Sequence, residues 1–174
     1  MKHTASRRVA WTGMLFALCI VLSYVEAMVA PMMQLAPGIK LGLANIVVMY
    51  ALMFISARDG MILVVLKSMF VLLTKGTVTA AVSLSGGVLS FLVMLCLLKF
   101  AKPTNMILSV SGAIAHNIGQ LAMVSLLLGS GFAMAYLPVL LLSGLVVGAL
   151  NSILLGLVAN RVPSLQCQKQ NKEE

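Results

Sequence analysis

The sequence predicts an all-α fold in which six apolar helices cross a membrane as one bundle. Of the 174 residues, 61% are hydrophobic and only 9% are charged, and the mean hydropathy is +1.08. Soluble domains are on average about half apolar and about a quarter charged. A globule of this size could not bury so much apolar surface. The composition therefore excludes an ordinary soluble enzyme, a disordered chain and a secreted disulfide scaffold.

Charged, proline and glycine residues divide the chain into six apolar segments, each read as a helix. The expected helices cover residues 9–29, 42–56, 60–74, 78–98, 105–128 and 134–159. Strands are not expected in the two shortest segments, because no alternation of polar and apolar residues runs through them. Residues 1–163 are thus predicted to form a single membrane domain, and residues 164–174 a polar cytoplasmic tail.

The basic residues predict the orientation of the helices. Lys40 and Lys75 would lie outside, and Lys67 lies within a helix. The other nine of the 12 basic residues would be cytoplasmic: Lys2, Arg7, Arg8, Arg58, Lys99, Lys102, Arg161, Lys169 and Lys172. Cytoplasmic loops of membrane proteins carry such an excess of Lys and Arg, so both termini are predicted to be cytoplasmic. Lipid headgroups account for the net charge of +8, and no nucleic-acid partner is expected.

Small residues recur every four positions along three of the helices. They are Gly13 and Ala17 in helix 1, Ser111, Ala115 and Gly119 in helix 5, and Gly144, Gly148, Ser152 and Gly156 in helix 6. Such stripes allow helices to approach closely in lipid. Either they pack inside the bundle or one of them faces outward and binds a partner protein. Gly13 and Ala17 are the candidates for the second role, because they lie near the cytoplasmic end.

Ionisable side chains inside a bilayer are costly, so each is a candidate functional residue. Glu26 lies near the outer end of helix 1, and Lys67 lies about midway along helix 3. His116 and Gln120 are one turn apart on helix 5. Structural interpretations stay open beside the functional one. Glu26 could form an ion pair with Lys67 or Lys75, and His116 could be a core histidine with satisfied hydrogen bonds.

The sequence lacks the groups that catalysis would need. A prenyl synthase holds magnesium with clustered aspartates, whereas this chain has a single aspartate, Asp59, at a predicted cytoplasmic turn. It has no phosphate-binding glycine loop for ATP hydrolysis. Its three cysteines, Cys19, Cys96 and Cys167, are far apart in sequence and predict neither a metal site nor a disulfide framework. We therefore expect no enzymatic activity, no cofactor and no metal.

Residues 35–46 read LAPGIKLGLANI. This segment resembles the signature loop of a bacterial membrane family that is labelled both Gx transporter and heptaprenyl diphosphate synthase component I. The family is similar to the six-helix substrate-binding S components of energy-coupling factor (ECF) transporters. The resemblance implies a multi-pass protein of the bacterial cell membrane, with the loop between helices 1 and 2 capping a ligand pocket open to the outside. It also implies that small residues of helix 1 contact a coupling transmembrane subunit that works with ATPases.

The sequence and the resemblance together predict a substrate-binding subunit of a small-molecule uptake transporter. The candidate ligand-binding residues are Glu26, Lys40, Asn45, Lys67, Lys75, His116, Asn117 and Gln120. All but one carry hydrogen-bond donors, which suits an anionic or phosphate-bearing ligand. The alternative is a membrane accessory subunit for polyprenyl diphosphate or quinone biosynthesis, which would bind a lipid substrate or tether a soluble synthase.

Overall fold

The computed structural model describes residues 5–29, 42–101 and 103–161, with side chains at residues 9–28, 42–101, 103–127, 129 and 137–156. This part of the chain contains no strand. It folds into six helices: α1 (Ala5–Val29), α2 (Asn45–Phe54), α3 (Ala57–Lys75), α4 (Thr77–Phe100), α5 (Asn105–Leu128) and α6 (Ser130–Arg161). The predicted all-α fold with six helices is confirmed. The predicted tail, residues 164–174, lies outside the described residues.

Four of the helices are long and apolar enough to cross a membrane, namely α1, α4, α5 and α6. Helices α2 and α3 do not meet these criteria, each for its own reason. Helix α2 has ten residues and therefore rises about 15 Å, half of the roughly 30 Å of a hydrocarbon core. Helix α3 has 19 residues but carries four charged ones: Arg58, Asp59, Lys67 and Lys75. The structure is thus a helical membrane bundle in which α2 and α3 are the less lipid-like elements.

Helix α2 is shorter than predicted, spanning Asn45–Phe54 instead of residues 42–56. At its start, Gly42 has a φ of +91°, which a helix does not allow. At its end, Ser56 has an extended backbone and caps the next helix, because its hydroxyl accepts a hydrogen bond from the Arg58 N–H at 3.3 Å. Hydropathy alone could not reveal these boundaries, since the flanking residues are also apolar.

The short helix α2 lies at the centre of the largest hydrophobic core. Buried side chains from all six helices pack there: Leu15, Cys19, Val47, Val48, Met49, Ala51, Leu52, Leu63, Val64, Phe91, Met94, Leu108 and Leu155. The large apolar side chains on the outward faces of the long helices are exposed instead, as lipid-facing residues are. Helix α2 is therefore packed against the helices that surround it.

Glycines allow the closest helix crossings. A Cβ built on Gly119 of α5 would lie 2.8 Å from the Ser85 carbonyl oxygen of α4. A Cβ on Gly148 of α6 would lie 2.6 Å from the Val110 Cα of α5. Real Cβ atoms do not approach backbone so closely, so only glycine fits at either crossing. The interpretation of these two stripes as internal packing surfaces is confirmed at Gly119 and Gly148.

We expect Gly148→Ala to destabilise the bundle by about 1–3 kcal/mol, because the added methyl group would overlap backbone that cannot move aside. The matched control is Gly156→Ala on the same stripe, where an added Cβ meets no atom within 4 Å. Thermal unfolding in detergent should show a lower midpoint for the first variant and an unchanged or slightly higher midpoint for the second. Equal midpoints would contradict the close crossing of α5 and α6.

The membrane orientation is a prediction that cysteine labelling can test. In a variant that lacks the three native cysteines, Thr77→Cys should react with an impermeant thiol reagent from outside the cell, and Ala101→Cys should not. Both positions are exposed at helix ends. Labelling of Ala101→Cys from outside would contradict the orientation that the basic residues predict.

Candidate functional site

Helix α1 presents one buried face to the rest of the bundle, and Glu26 lies near its C-terminal end. The buried residues Leu15, Cys19, Ser23 and Glu26 recur every three or four positions, as the helical period requires. Glu26 is 0% exposed. Its Oε1 accepts a hydrogen bond from the backbone N–H of Gly42. Its Oε2 is also buried and has no hydrogen-bond partner among the described residues.

Gly42, just before α2, contacts both α1 and α5. Its positive φ turns the chain into α2, and its N–H points at Glu26. On its other side, a Cβ would lie 3.0 Å from Cδ2 of His116. Both the backbone conformation and the lack of space therefore favour glycine here. Through Gly42, the carboxylate of Glu26 and the imidazole of His116 come to the same part of the bundle.

His116 and Gln120 form a hydrogen-bonded pair on α5. Their Nε2 atoms are 2.8 Å apart, and both residues are 0% exposed. The contact joins the Gln120 amide nitrogen to the imidazole Nε2 and holds the two side chains together on one face of α5. The pair packs on Gly86 of α4, where a Cβ would lie 2.8 Å from the His116 carbonyl oxygen. We call Glu26, Gly42, His116 and Gln120 the Glu26–His116 cluster.

The two candidate asparagines use their amide donors inside the bundle. Asn45 donates to Ser90 Oγ at 2.5 Å, with the Gly112 carbonyl oxygen 3.5 Å from the same nitrogen. It thus ties the start of α2 to α4 and α5. Asn117 donates to the Leu140 carbonyl oxygen of α6 at 2.6 Å. These bonds give both asparagines a structural role, and their contact with a ligand stays a prediction.

Lys67 is buried in α3, with 5% of its surface exposed. It lies within electrostatic range of the Cys19 thiol, on the buried face of α1. Among the described residues it forms no ion pair, and Glu26 forms none either. The structural interpretation in which Glu26 pairs with Lys67 or Lys75 is therefore not what the structure shows. Lys67 is left as a buried cation without a protein counter-charge in the described part of the chain.

The remaining candidates lie at the periphery. Lys75 is exposed at the end of α3, and Lys40 lies outside the described residues. Gly13 and Ala17 are exposed on the outward side of α1, and a Cβ on Gly13 would meet no atom within 4 Å. This differs from Gly119 of α5 and from Gly144 and Gly148 of α6, which neighbouring helices contact closely. The small residues of α1 are thus available to an external helix.

Sequence reasoning missed three residues that shape the site. Ser90 accepts the hydrogen bond of Asn45, and Gly42 and Gly86 let the backbone approach His116. The adjacent pair Gly86 and Gly87 in an otherwise apolar helix was a usable signal, because small residues mark close helix contacts in membranes. Gly42 could not have been recognised in this way, since its role depends on where the chain returns after α1.

Within the described residues, no three His, Cys, Asp or Glu side chains lie close enough together to hold a metal ion. The polar groups of the cluster come instead from single positions on several helices. The arrangement offers a carboxylate oxygen and an imidazole–amide pair within a tightly packed bundle, and the buried side chain of Lys67 adds an ammonium group on α3. These groups are suited to binding by hydrogen bonds and charge.

The sequence profile of the family described as heptaprenyl diphosphate synthase component I matches residues 15–159. The matched range includes all the candidate ligand-binding residues and most of the six-helix bundle. No curated protein and no solved structure matches the chain. The family match extends over far more than half of the sequence. The chain therefore belongs to the heptaprenyl diphosphate synthase component I family, as the sequence of the segment around Gly42 predicted.

Proposed function

We propose that this protein is the substrate-binding membrane subunit of a small-molecule uptake transporter, similar to the S components of ECF transporters, and that its ligand is anionic or phosphate-bearing. The observation that carries the proposal is the buried, incompletely paired charge in the bundle. Glu26 has an oxygen without a described partner, and Lys67 has no described counter-charge. Such groups are expensive inside a membrane protein and commonly mark a substrate pathway.

The balance of charge favours an anionic ligand. A buried ammonium group is tolerated when an anion neutralises it, and pairing is strong where water is excluded. Glu26 does not serve as that anion, since the two residues form no ion pair. An anionic group of the ligand would supply the missing charge at Lys67. Glu26 would then accept a hydrogen bond from a different, donor-bearing part of the same ligand.

The proposal treats the protein as a binder without enzymatic activity. Its single aspartate, Asp59, cannot form the magnesium-binding cluster of a prenyl synthase. The ATP-dependent step of uptake would belong to a partner with ATPase subunits. The protein's own task would be to capture the ligand from the outer side of the membrane and present it to that partner.

The test is to purify the protein in a mild detergent and to identify, by unbiased mass spectrometry, the small molecules and proteins that stay with it. A retained anionic small molecule, together with an ATPase-bearing coupling module, would support the proposal. A preparation that retains neither would contradict it. The Lys67→Met variant is the matched control, because it should lose the small molecule and keep the coupling module.

The family description favours a second candidate function. A component of a heptaprenyl diphosphate synthase could serve as a membrane accessory subunit that binds a polyprenyl diphosphate or tethers a soluble synthase. A diphosphate would also supply the anion that Lys67 lacks. The same purification distinguishes the two candidates, because this one predicts co-purification of a soluble prenyl synthase in place of an ATPase-bearing module.

We expect Gly13→Leu or Ala17→Leu to weaken binding of the coupling module with little effect on folding. Both positions face outward, so a larger side chain would push away a partner helix without disturbing the bundle. Co-purification with the coupling module measures the first effect, and thermal unfolding measures the second. Val25→Leu, at an exposed apolar position near the other end of the same helix, is the control. If Gly13→Leu and Ala17→Leu both co-purify with the coupling module as well as the parent does, this face of α1 does not bind the module.

A further inference from the structure

Helices α3 and α4 form an antiparallel hairpin whose register is set by two glycine contacts. A Cβ on Gly60 of α3 would lie 3.0 Å from the Phe91 ring of α4, and a Cβ on Gly87 of α4 would lie 2.9 Å from Val64 of α3. Moving four residues forward along α3 therefore corresponds to moving four residues back along α4. Applied to the pair Val64 and Gly87, this step leads to Ser68 and Ser83.

Ser68 and Ser83, the hydroxyl pair, thus lie at facing positions of the hairpin. Ser68 is 7% exposed and Ser83 is 2% exposed. Neither Oγ has a hydrogen-bond partner within the described part of the chain. A buried serine in a helix ordinarily bonds a backbone carbonyl, either in its own preceding turn or on a neighbouring helix. Two facing buried serines that make no such bond leave both hydroxyls able to donate to a bound group.

Two other serines in the bundle show the ordinary arrangement. Ser85 Oγ is 3.0 Å from both the Val82 and the Gly119 carbonyl oxygens. Ser109 Oγ donates to the Gly148 carbonyl oxygen at 2.8 Å. Both hydroxyls are satisfied by neighbouring backbone. Ser23 of α1 also has a buried hydroxyl without a described partner, so the hydroxyl pair is distinguished by its missing partners together with its facing positions on α3 and α4.

The hydroxyl pair lies on helix turns that adjoin residues already described. Ser83 lies one turn from Gly86, the residue on which His116 and Gln120 pack. Ser68 directly follows the buried cation Lys67. The α3–α4 hairpin thus carries two buried hydroxyls without described partners and, at the residue before Ser68, the buried side chain of Lys67.

We propose that Lys67, Ser68 and Ser83 form a subsite for the phosphate group of the ligand. The ammonium group would neutralise the phosphate, and each hydroxyl would donate a hydrogen bond to a phosphate oxygen. This inference rests on the proposed function and deepens it, since it assigns an anion-binding role to the α3–α4 hairpin and places Glu26 at the other end of the ligand. The phosphate can belong to a soluble molecule or to a lipid headgroup.

The test uses the full-length protein in detergent free of phospholipid, with radiolabelled inorganic phosphate as the probe in equilibrium dialysis. Native mass spectrometry of the protein in phosphatidylglycerol nanodiscs provides the second arm. Phosphate binding in detergent identifies a soluble ligand, and retention of phosphatidylglycerol alone identifies a headgroup. In whichever arm the parent binds, Ser68→Ala and Ser83→Ala should each weaken binding about tenfold, as expected for one hydrogen bond to a charged group.

Ser109→Ala is the matched control, because its hydroxyl is buried and satisfied. It should lower the thermal unfolding midpoint and leave phosphate binding unchanged. Ser68→Ala and Ser83→Ala should show the opposite pattern, with weaker binding and an unchanged or higher midpoint, since neither variant loses a hydrogen bond within the described chain. A merely structural role of the hydroxyl pair, such as a bond between the two serines, would lower the midpoint and leave binding intact, which would overturn the proposal.

Two further outcomes separate this inference from the proposed function. If the protein retains a small molecule without an anionic group and binds neither probe, the subsite is wrong and the capture function stands. If the parent binds a probe and both alanine variants bind it equally well, the hairpin assignment is wrong and the function again stands. If the protein retains no small molecule and binds neither probe, both proposals are wrong.

Discussion

Lys67→Met is expected to abolish ligand binding and to leave the bundle folded. The Lys67 side chain is buried in α3 and has no counter-charge among the described residues. If a ligand anion pairs with it, removal of the cation leaves that anion buried without a partner, at a cost of about 3–5 kcal/mol. Affinity for the small molecule retained by the parent should then fall by roughly a hundredfold or more. Titration calorimetry in detergent would measure the loss.

The stability of the same variant distinguishes binding from scaffolding. Methionine is apolar and of similar length, so replacing an unpaired buried cation should leave the unfolding midpoint unchanged or raise it. The earlier alternative, a structural pair with Glu26, predicts a large loss of stability that Glu26→Gln would restore. Since the two residues form no ion pair, a double-mutant cycle should give a coupling energy near zero. A large coupling energy would show that Lys67 and Glu26 stabilise each other, and it would contradict the prediction that Lys67 pairs with a ligand.

Lys99→Met is the matched control for the removal of a lysine. Lys99 is exposed near the end of α4, with its ammonium 5.7 Å from the centre of the Phe100 ring. It lies at the predicted cytoplasmic end of the helix, far along the chain from the hydroxyl pair. Ligand affinity and unfolding midpoint should both stay close to the parent values. Equal loss of affinity in the two lysine variants would indicate a general charge effect.

The six helices could be predicted because lipid imposes a simple rule on sequence. Apolar segments must be long and must end at polar or turn residues, and the charged and glycine residues of this chain mark most of those ends. Helix α2 departed from its expected bounds because Gly42 and Ser56 interrupt an apolar stretch by backbone conformation and capping. Conformation of that kind leaves no trace in hydropathy.

The contacts between helices were less predictable than the helices themselves. Helical periodicity tells which residues of one helix share a face, but not which face of the next helix they meet. That register is set by glycine crossings such as Gly86 and Gly148. The bond from Asn117 to the Leu140 carbonyl oxygen of α6 could therefore not be foreseen, and the contact of Asn117 with a ligand stays a prediction. Ser68 and Ser83 were overlooked because serine in a membrane helix usually bonds its own backbone.

Glu26→Met is expected to destabilise the bundle by about 1–3 kcal/mol, whereas Glu26→Gln should cost less than about 1 kcal/mol. The carboxylate accepts the hydrogen bond of the Gly42 N–H, where the chain enters α2 beside His116. Methionine has nearly the same shape but no strong acceptor, so it would leave that N–H buried and unsatisfied. Glutamine keeps an acceptor oxygen and loses only the charge. Thermal unfolding in detergent measures both effects.

The buried face of α1 also supplies a control variant for the Glu26 prediction. Ser23→Ala alters the same face one turn earlier, and since the Ser23 hydroxyl has no hydrogen-bond partner within the described chain, its loss should leave stability unchanged. A Glu26→Met variant as stable as the parent would show that Glu26 does not hold the start of α2. If instead Glu26→Gln is stable and loses the ligand, the charge of Glu26 serves binding and its acceptor oxygen serves the fold. Glu26 would then have two roles. Its Oε1 accepts the hydrogen bond of Gly42, which lies beside His116, and its Oε2 would contact the ligand.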